Sequence, residues 1–560
     1  MALRVPATRV GVHVDAGDGA GVVVQDDGER GAVRDGSEVL VERLVVADGV
    51  AVVAGGHDED VLGAGVGTFL AQFDGAADAV LAGAGDDGDV GEPGLDQGGA
   101  CLADNCLALF AGQVYGFTVG THGNQADQTG LGQADGMAAD SWDIEVFSVG
   151  VEEGHGTGEY TTGFVGGAAS GSDKKVGVVG LTLFDLRRRG KVGKLSMVGV
   201  SGRKFPGIRE HLRKNISEVY NGLDVSFESF PADDQTDPDA YKAAIDALEP
   251  GSAITIFTPD PTHFPIALYA IQRKIHVMIT KPATKLLQDH LTLLEESRKH
   301  GVFVYIEHHK RFDPAYSDAR AKAKNLGDFN YFYSYMSQPK SQLETFKAWA
   351  GKESDISYYL NSHHIDINES MVPDYKPVKV TASAAKGTAV ALGCAPETED
   401  TITLLVNWQN KQDPSKVATG VYTASWTAPQ KAGVHSNQYF HYMGSKGEIR
   451  INQAKRGYDI VDDNQGQLAW INPFYMRYAP DEEGNFGGQT GYGYISFEKF
   501  IDAVTALNEG RVTLDQLDAR PLPTLKNTIA TTAILHAGRI SLDENRTVEI
   551  VHDGDKWELK

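Results

Sequence analysis

The stretch SAITIFTPDPTHFPIALYAIQRKIHVMITKP, residues 252–282, holds two short apolar segments on either side of a longer one. SAITIFTP (252–259) and IHVMITKP (275–282) are β-branched runs of strand length, whereas HFPIALYAIQRK (263–274) has the length and spacing of a helix. Strands joined by a single helix run parallel in one sheet, and such sheets bind ligands beyond the carboxyl ends of their strands. This stretch therefore predicts an α/β domain with a site where both strands end.

The alternation continues on both sides of this stretch. KLSMVGVS (194–201) predicts a strand, LLQDHLTLLEESRKHG (286–301) a helix that stops at glycine, and VFVYIEHHKRF (302–312) a further strand. After about residue 328 aromatic and β-branched segments follow one another with few helices. We expect an α/β Rossmann dinucleotide-binding domain over 151–325 and an α+β domain with a large, mostly antiparallel sheet over 326–560.

Residues 1–150 differ in composition from the rest of the chain. They hold 29 of the 64 glycines and carry a net charge of −20 out of −25, although VLVERLVVADGVAVVAG (39–55) has strand character. Three interpretations stay open: a Gly/Asp-rich β domain that binds calcium, a disordered acidic extension, and a translated non-coding stretch joined by a gene-model error. The last is favoured because soluble surfaces normally mix both charge signs. We expect this part to be irregular or disordered, or a gene-model artefact.

Composition excludes several function classes. Residues 151–560 carry a net charge of only −5, which lacks the cationic excess of a nucleic-acid binder. Three cysteines are too few for a disulfide framework, which predicts a reducing, cytoplasmic location. No apolar run approaches the ~18 residues of a membrane span, and the first residues lack the apolar run of a signal peptide.

The segment GHGTGEYTTGFVGG (154–167) has the spacing G-x-G-x-x-x-x-G. Its first glycine allows a tight turn and its second lets the backbone approach a pyrophosphate, while nearby hydroxyls add donors. The third glycine is displaced from the usual position, and the strand expected before the turn has only the interrupted candidate IEVFSVGV (144–151). A flexible junction therefore stays open as the alternative. The candidate cofactor-binding residues of this turn are Gly156, Gly158, Tyr160 and Thr161.

A second cofactor signal follows the strand 194–201. An NAD enzyme commonly places an acid there, against the ribose 2′-hydroxyl. This chain has Ser201, Arg203 and Lys204 instead, and cations at that place suit a 2′-phosphate. NADP is therefore favoured over NAD, and a solvated basic loop is the alternative.

Four motifs at segment ends follow one another in order: TPDPTH (258–263), TKP (280–282), HHKRFDPAY (308–316) and NSHHID (361–366). From about residue 156 onward the chain resembles the glucose–fructose oxidoreductase / inositol dehydrogenase (Gfo/Idh/MocA) family of NAD(P)-dependent sugar and polyol dehydrogenases. The resemblance implies hydride transfer between nicotinamide and a sugar, polyol or related hydroxy compound. It also implies a homo-oligomer formed through the C-terminal sheet.

The resemblance implies that Lys281 is catalytic. It matches the lysine of the family's glutamate-lysine-proline motif, which contacts the nicotinamide end and the reacting hydroxyl, although Thr280 replaces the acid. Pro259, His263 and Pro282 are the matching cofactor-binding residues at the strand ends. For His263 the alternative is that it only caps the helix that begins there.

The resemblance also implies an acid–base histidine. His363 and Asp366 match the family's H-x-x-D spacing, so His363 would exchange the hydroxyl proton, with His364 as its rival and a candidate for substrate binding beside Asp366. One turn earlier the family often has an aspartate, where this chain has Tyr359. Either Tyr359 donates the proton instead, or the reaction differs.

Arg311 is the remaining candidate for substrate binding, through a hydroxyl or carboxylate, and a salt bridge beside Asp313 is the alternative. No metal site is expected, because neighbouring histidines on one strand, such as His308 and His309, point to opposite faces.

Two other functions stay open. Some members of this fold bind the dinucleotide without turnover and act as regulators, and others cleave glycosides with a recycled NAD. The retention of Lys281 and His363 favours the dehydrogenase over the regulator.

Overall fold

The computed structural model describes residues 158–170, 176–431, 433–434, 436–461, 468–553 and 556–560, and the backbone of six strands before them. The chain divides into two units, residues 1–133 and 134–560. In the first unit five strands form an antiparallel sheet, and two of them lie within 39–55, the segment with strand character. They are β1 (Val22–Val24), β2 (Val41–Ala47), β3 (Val50–Gly55), β4 (Thr68–Phe73) and β5 (Ala79–Ala82). The other residues before 146 lie outside the described residues, so their expected irregularity stays a prediction.

Six parallel strands form the main sheet of the first half of unit 134–560. They are β6 (Val146–Val149), β9 (Leu195–Val198), β10 (Glu228–Phe230), β11 (Ala253–Ile256), β12 (His276–Thr280) and β13 (Val304–Glu307), and β7 (Phe164–Val165) and β8 (Ala168–Ala169) form a separate hairpin. Their order is β10-β9-β6-β11-β12-β13, the doubly wound arrangement of a Rossmann fold.

The strand that precedes the glycine turn is therefore present. β6 lies within IEVFSVGV and pairs with β9 on one side and β11 on the other. The sheet begins at Val146, shortly before the domain boundary expected at residue 150, and the two units divide between 133 and 134.

Helices cover both faces of this sheet, which explains why its strands read as nearly continuous apolar runs. The helices of this half are α1 (Glu159–Thr162), α2 (Val179–Arg188), α3 (Phe205–Leu212), α4 (Ala240–Asp246), α5 (His263–Ile271), α6 (Leu287–His300) and α7 (Pro314–Ala323). Ile254 and Ile256 face a core shared with α4, α5 and α6, whereas Ala253 faces a core shared with α2 and α3. The expected glycine stop is confirmed, because α6 ends at Gly301 with φ +68°.

The first helix of the Rossmann fold is divided in two. The β7–β8 hairpin separates α1 from α2, and the backbone N–H of Val178 donates to the carbonyl oxygen of Tyr160 at 2.8 Å. Gly177 lies here at φ +76°, and a Cβ added to it would stand 2.7 Å from the carbonyl oxygen of Thr161. Only glycine permits this close approach.

The second half contains a large sheet of eight strands. It consists of β14 (Phe329–Pro339), β15 (Tyr375–Lys386), β16 (Glu399–Asn410), β17 (Val417–Ala428), β18 (Asn437–Gly444), β19 (Gly447–Asn452), β22 (Val548–Asp553) and β23 (Lys556–Leu559), while β20 (Tyr458–Ile460) and β21 (Ala469–Ile471) pair separately. The order is β19-β18-β14-β17-β16-β15-β22-β23, and only β14 and β17 are parallel neighbours. The expectation of a mostly antiparallel sheet is confirmed.

Helices pack on one face of this sheet. The helices of this half are α8 (Ser341–Phe346), α9 (Ser362–Met371), α10 (Thr388–Ala391), α11 (Tyr492–Asn508), α12 (Leu514–Asp518) and α13 (Ile529–Glu544). Along β16, Leu404, Val406 and Trp408 are buried in a core shared with α9 and α13, whereas Leu405 points to the other face and is 44% exposed. α11 returns to the Rossmann sheet, where Phe497 and Phe500 join the core of α2 and α3.

Candidate active site

The candidate site lies where β12 and β13 end. Thr280 at the end of β12 is in register with Glu307 at the end of β13, so the segments after them leave the sheet side by side. α9 approaches from the second half, and the ring of His363 lies 5.3 Å from the ring of His309, centre to centre. The fold thus brings together residues near positions 280, 309 and 363.

Lys281 follows β12 directly and points at Tyr359. Its ammonium group donates to the backbone carbonyl oxygen of Tyr359 and lies 3.9 Å from the centre of that ring. A cation over an aromatic face is attracted by the electron density of the ring. The Lys281 ammonium is therefore held by the residue that stands where the family often has an aspartate.

Tyr359 lies in the single π-helical turn Ser357–Asn361 that leads into α9. Its ring packs against Phe346 at 5.0 Å and Trp349 at 5.8 Å between centres. Burial raises the pKa of its phenol to about 12, and a hydrogen bond with Gln338 acts in the opposite direction. The phenol is therefore protonated at neutral pH, and its ring and carbonyl oxygen are the parts that meet Lys281.

His363 is buried, with 6% of its surface exposed, in the first turn of α9. Its Nδ1 atom has no hydrogen-bond partner among the residues that the structure describes. Burial lowers its pKa well below 6.5, and the charges of Lys281 and Lys310 act in the same direction. His363 is therefore neutral at physiological pH and able to accept a proton.

His364 contacts Tyr316 of α7 and Phe440 of β18. Its Nε2 atom lies 3.1 Å from the hydroxyl oxygen of Tyr316, and its ring meets Phe440 nearly edge-on at 6.0 Å between centres. The two neighbouring histidines of α9 thus occupy different environments, and the geometry places His363, not His364, beside Lys281.

Arg311 and Asp366 form a buried ion pair. Nε of Arg311 lies 2.9 Å from Oδ2 of Asp366 and Nη2 lies 2.6 Å from Oδ1, and the same Nη2 donates to the carbonyl oxygen of Asn527. The alternative expected from the sequence, a salt bridge of Arg311 beside Asp313, has the wrong partner, because Arg311 pairs with Asp366. Asp313 instead accepts from the backbone N–H groups of Ala315 and Tyr316 at the start of α7 and pairs with Arg456.

Glu307 and His309 form a pair that sequence reasoning missed. The Nδ1–H of His309 donates to the carboxylate of Glu307, with both oxygens at 3.0 Å, and Glu307 is buried at the end of β13. The strand expected over 302–312 ends at Glu307, and the residues after it turn into the 3-10 helix His309–Phe312. The sequence shows that Glu307 precedes His309 by two residues, but their contact depends on the turn that the chain makes after β13.

His263 connects two of the strand ends. Its Nδ1 lies 2.9 Å from the carbonyl oxygen of Pro282, and its Nε2 lies 2.9 Å from that of Thr258. Pro259 precedes the short turn Asp260–Thr262, and the Lys281–Pro282 peptide bond is cis. His263 is the first residue of α5, and its side chain ties the loop after β11 to the loop that carries Lys281.

The residues predicted for the glycine turn are only partly described. Gly156 lies outside the described residues. Gly158 precedes α1 and accepts from the backbone N–H of Thr162, and Thr161 is buried. The Tyr160 ring stacks on Phe257 at 5.3 Å between centres, and its hydroxyl is hydrogen-bonded to that of Tyr475.

The predicted basic segment lies directly after β9. Ser201 forms an isolated bridge with Thr236, and Gly202 is so closely packed that an added Cβ would stand 1.8 Å from the carbonyl oxygen of Ala232. Arg203 is exposed, and within the described part of the chain neither it nor Lys204 makes an ion pair. Both cations are therefore available at the edge of the sheet.

The described residues contain no group of three or more His, Cys, Asp or Glu side chains arranged to hold a metal ion. None of their helices combines the length and apolar character needed to cross a membrane.

Residues 175–308 match the GFO_IDH_MocA family, described as an oxidoreductase family with an NAD-binding Rossmann fold. This part of the chain thus carries the sequence pattern of that family. The match covers the strands β9 to β13, with Glu307 at the end of β13, and the loop after β12 that carries Lys281.

Two relatives match over part of their length. The uncharacterized oxidoreductase YdgJ of Escherichia coli (strain K12) is 28% identical over 136 residues, 24% of this chain and 39% of that protein. The scyllo-inositol 2-dehydrogenase (NAD(+)) of Bacillus subtilis (strain 168) is 26% identical over 142 residues, 25% of this chain and 38% of that protein. The chain thus matches less than half the length of either relative.

Solved structures are similar over a longer span. Myo-inositol 2-dehydrogenase from Lactobacillus plantarum aligns with 73% of this chain and 99% of its own, at a TM-score of 0.49 and 16% identity. GenD2 from gentamicin A biosynthesis, in complex with NAD, aligns with 73% of this chain and 97% of its own, at a TM-score of 0.48 and 17% identity.

Proposed function

We propose that this protein is an NAD(P)-dependent oxidoreductase that transfers hydride between nicotinamide and a sugar, polyol or related hydroxy compound. One observation carries the proposal: Lys281 and the neutral His363 lie at the carboxyl edge of a six-stranded Rossmann sheet. This edge is where such sheets bind dinucleotides. The scyllo-inositol 2-dehydrogenase activity of the Bacillus subtilis relative supports the polyol class.

The chain's own residues fit a dinucleotide. Gly158 at the start of α1, Arg203 and Lys204 after β9, and the loops at Pro259 and Pro282 would hold it along one edge of the sheet. The buried Nδ1 atom of His363, which has no partner in the described residues, is a polar group left for a ligand in this site. A bound nicotinamide would supply the hydride acceptor or donor, and the protein supplies orientation and electrostatics.

Lys281 and His363 have different proposed roles at the substrate oxygen. The ammonium group of Lys281 stabilises the negative charge that develops there when the hydroxyl loses its proton. His363 accepts that proton during oxidation and returns it during reduction, which its low pKa permits because the ring is neutral beforehand. Tyr359 fixes the direction of Lys281 through its ring and carbonyl oxygen.

NADP is the favoured dinucleotide in this proposal. The unpaired cations Arg203 and Lys204 follow the second strand of the fold, where a 2′-phosphate would lie, and no acid replaces them. NAD is the alternative, and the name of the Bacillus subtilis relative supports it.

A regulator that binds the dinucleotide without turnover is the second candidate. Two substitutions favour it: Thr280 replaces the acid of the family motif, and Tyr359 replaces the aspartate. Cleavage of a glycoside with recycled NAD is a third outcome that the same assay detects.

We also propose that the protein works in the cytoplasm as a homo-oligomer. The face of the eight-stranded sheet away from the helices exposes apolar side chains, Leu405 by 44%, Val417 by 62% and Met443 by 37%. Such a surface is typical of a contact between subunits. Light scattering coupled to gel filtration will give the number of subunits.

The proposed function is tested by binding and turnover. NADPH and NADH are titrated into the full chain while nicotinamide fluorescence is followed, and myo-inositol, scyllo-inositol and a panel of aldoses are then offered with NADP⁺ and NAD⁺. Reduction of the dinucleotide by one of these compounds supports the dehydrogenase. Binding without any reduction supports the regulator, and sugar release without net reduction supports glycoside cleavage. Absence of binding by folded protein refutes all three.

A further inference from the structure

Position 359, in the turn before α9, lacks the aspartate that the family often has, and a carboxylate lies instead at the end of a strand of the Rossmann sheet. Glu307 is buried at the end of β13, and its two oxygens accept from Nδ1–H of His309. A carboxylate at one ring nitrogen fixes the tautomer of a histidine and stabilises its imidazolium form. This leaves Nε2 of His309 as the proton-accepting atom, and within the described residues Nε2 makes no hydrogen bond.

Aromatic rings hold His309 next to His363. The ring centres of His309 and His363 are 5.3 Å apart, Tyr475 lies 5.2 Å from His309, and Tyr492 stacks on it at 5.7 Å. Tyr475 and Tyr492 come from the far end of the chain, before and within α11. The orientation of His309 is therefore set by three segments besides its own.

The charged and titratable groups around this pair come from every element packed against it. They are Lys281 after β12, Tyr305 in β13, His308 and Lys310 beside His309, His363 in α9, Tyr160 in α1, and Tyr475 and Tyr492 near α11. Burial raises the pKa of the phenols, so they are neutral at physiological pH. Among the groups that surround His309, Glu307 is thus the acid and the lysines are the cations.

The charged groups around His363 differ from those around His309. No carboxylate contacts its ring in the described residues, and its charged neighbours are Lys281 and Lys310. A proton placed on His363 is repelled by Lys281, and also by Lys310 as long as Lys310 keeps its own proton, whereas a proton placed on His309 faces the carboxylate of Glu307 at 3.0 Å. The proton that His363 takes from a substrate has a more favourable position one ring away.

We propose that His309 receives the substrate proton from His363 and that Glu307 holds it there. In oxidation the C–H bond breaks with its electron pair going to the dinucleotide, and the O–H bond breaks with its proton going to His363. A carbonyl forms in the substrate, and the proton then moves to Nε2 of His309 while Glu307 stays ionised. In reduction the same steps run backwards. The inference rests on the proposed function, and His309 and Glu307 act through His363 without touching the substrate.

The variants Glu307→Gln and His309→Asn test the relay. Loss of general acid–base catalysis costs about 10²-fold or more, so we expect kcat to fall about 10²-fold in His309→Asn and less in Glu307→Gln, with KM and the dinucleotide Kd nearly unchanged. His441 and Glu448 provide the matched control, a histidine–carboxylate pair at 2.7 Å on the large sheet. His441→Asn and Glu448→Gln are expected to leave kcat unchanged.

Two readouts separate a relay from a merely structural role. Imidazole added to His309→Gly is expected to restore part of the rate, because the free base can accept the proton in place of the missing ring. Imidazole is expected to have no effect on His441→Gly, whose ring takes no part in the proposed relay. No rescue of His309→Gly, or an equal effect on both variants, overturns the relay.

A third readout does not depend on turnover. In ¹⁵N-histidine spectra the Nδ1–H signal of His309 is identified as the one that disappears in His309→Asn. This signal is expected to shift in Glu307→Gln and to keep its position in Glu448→Gln. An unshifted signal overturns the pairing itself. If the unaltered protein oxidises none of the compounds offered, the proposed function fails and the relay fails with it. If the unaltered protein is active and His309→Asn is equally active, only the relay fails.

Discussion

The ammonium group of Lys281 lies 3.9 Å from the centre of the Tyr359 ring and donates to the carbonyl oxygen of the same residue. This contact connects the loop after β12 to the turn before α9, so it joins the two halves of the candidate site. It also shows how a chain with tyrosine in place of aspartate still directs its lysine.

Replacement of Lys281 by methionine is expected to lower kcat about 10²- to 10³-fold, the usual cost of losing one donor to a developing oxyanion. Lys285 is a matched control, because its ammonium group donates to the carbonyl oxygen of Glu353 and lies 5.9 Å from the centre of the Tyr358 ring. Steady-state kinetics of Lys285→Met should show nearly normal kcat. An equal loss in both variants would contradict a catalytic role for Lys281.

The variant Tyr359→Phe removes the phenol hydroxyl and keeps the aromatic ring. Because burial raises the pKa of Tyr359 to about 12, we expect its hydroxyl to keep its proton and to take no part in proton transfer, so Tyr359→Phe should keep most of the activity. Loss of about 10²-fold or more would instead identify the phenol as a general acid. Tyr359→Ala also loses the aromatic face, worth about 1 kcal/mol to Lys281, and should be measurably slower.

Arg203→Ala and Lys204→Ala are expected to weaken NADPH binding and to leave NADH binding nearly unchanged. Each charge-assisted hydrogen bond to a phosphate is worth about 1.5–3 kcal/mol, so the double variant should lose at least about tenfold in NADPH affinity. Arg213, an exposed arginine paired with Glu210 on the same stretch of chain, is the control. Fluorescence titration measures the affinity of each variant for NADPH and NADH. Equal losses of affinity for both dinucleotides would contradict the NADP assignment.

Arg311→Met is expected to destabilise the fold. It leaves Asp366 as a buried charge without its ion-pair partner, which typically costs 3–5 kcal/mol. Lys416→Met, which breaks the exposed pair with Asp328, should cost less than about 1 kcal/mol. Urea denaturation measures both. An Arg311→Met protein with unchanged free energy of unfolding and a raised KM would identify Arg311 as a substrate-binding residue after all.

Lys310 is expected to make stability depend on pH. Burial lowers its pKa to about 7, and its ammonium group donates to the side-chain oxygens of Gln438 and Gln453. Since the unfolded chain keeps this proton up to about pH 10.4, the unfolded state binds more protons between pH 7 and that value. The contribution of Lys310 to the free energy of unfolding therefore rises with pH over this window and is constant below it.

The variant Lys310→Met removes this contribution. Urea denaturation from pH 7 to pH 10 should give a smaller increase, or a larger decrease, in the free energy of unfolding than in the unaltered protein. The exposed Lys322→Met should follow the unaltered protein. Identical slopes in all three proteins would show that Lys310 keeps its proton in the folded state.

Local sequence patterns predicted most of the Rossmann half and the class of the second half. The strands β11, β12 and β13 and the helices α5 and α6 lie within the predicted segments, because hydrophobic periodicity and a glycine stop act over a few neighbouring residues. The first strand was harder to recognise. Only its pairing between β9 and β11 identifies β6, and pairing is a relationship between distant residues.

The candidate site shows the same division. The sequence by itself determined that Lys281 follows a strand end, that His363 comes later in the H-x-x-D spacing of the family, and that cations follow the second strand. Only the tertiary structure shows that Arg311 pairs with Asp366 instead of nearby Asp313. Only the tertiary structure shows that Glu307 contacts Nδ1 of His309 and that the ring of His309 lies beside that of His363. The chain turns into a 3-10 helix after β13, so side-chain directions there follow from the turn and the packing around it, and spacing along a presumed strand could not reveal them.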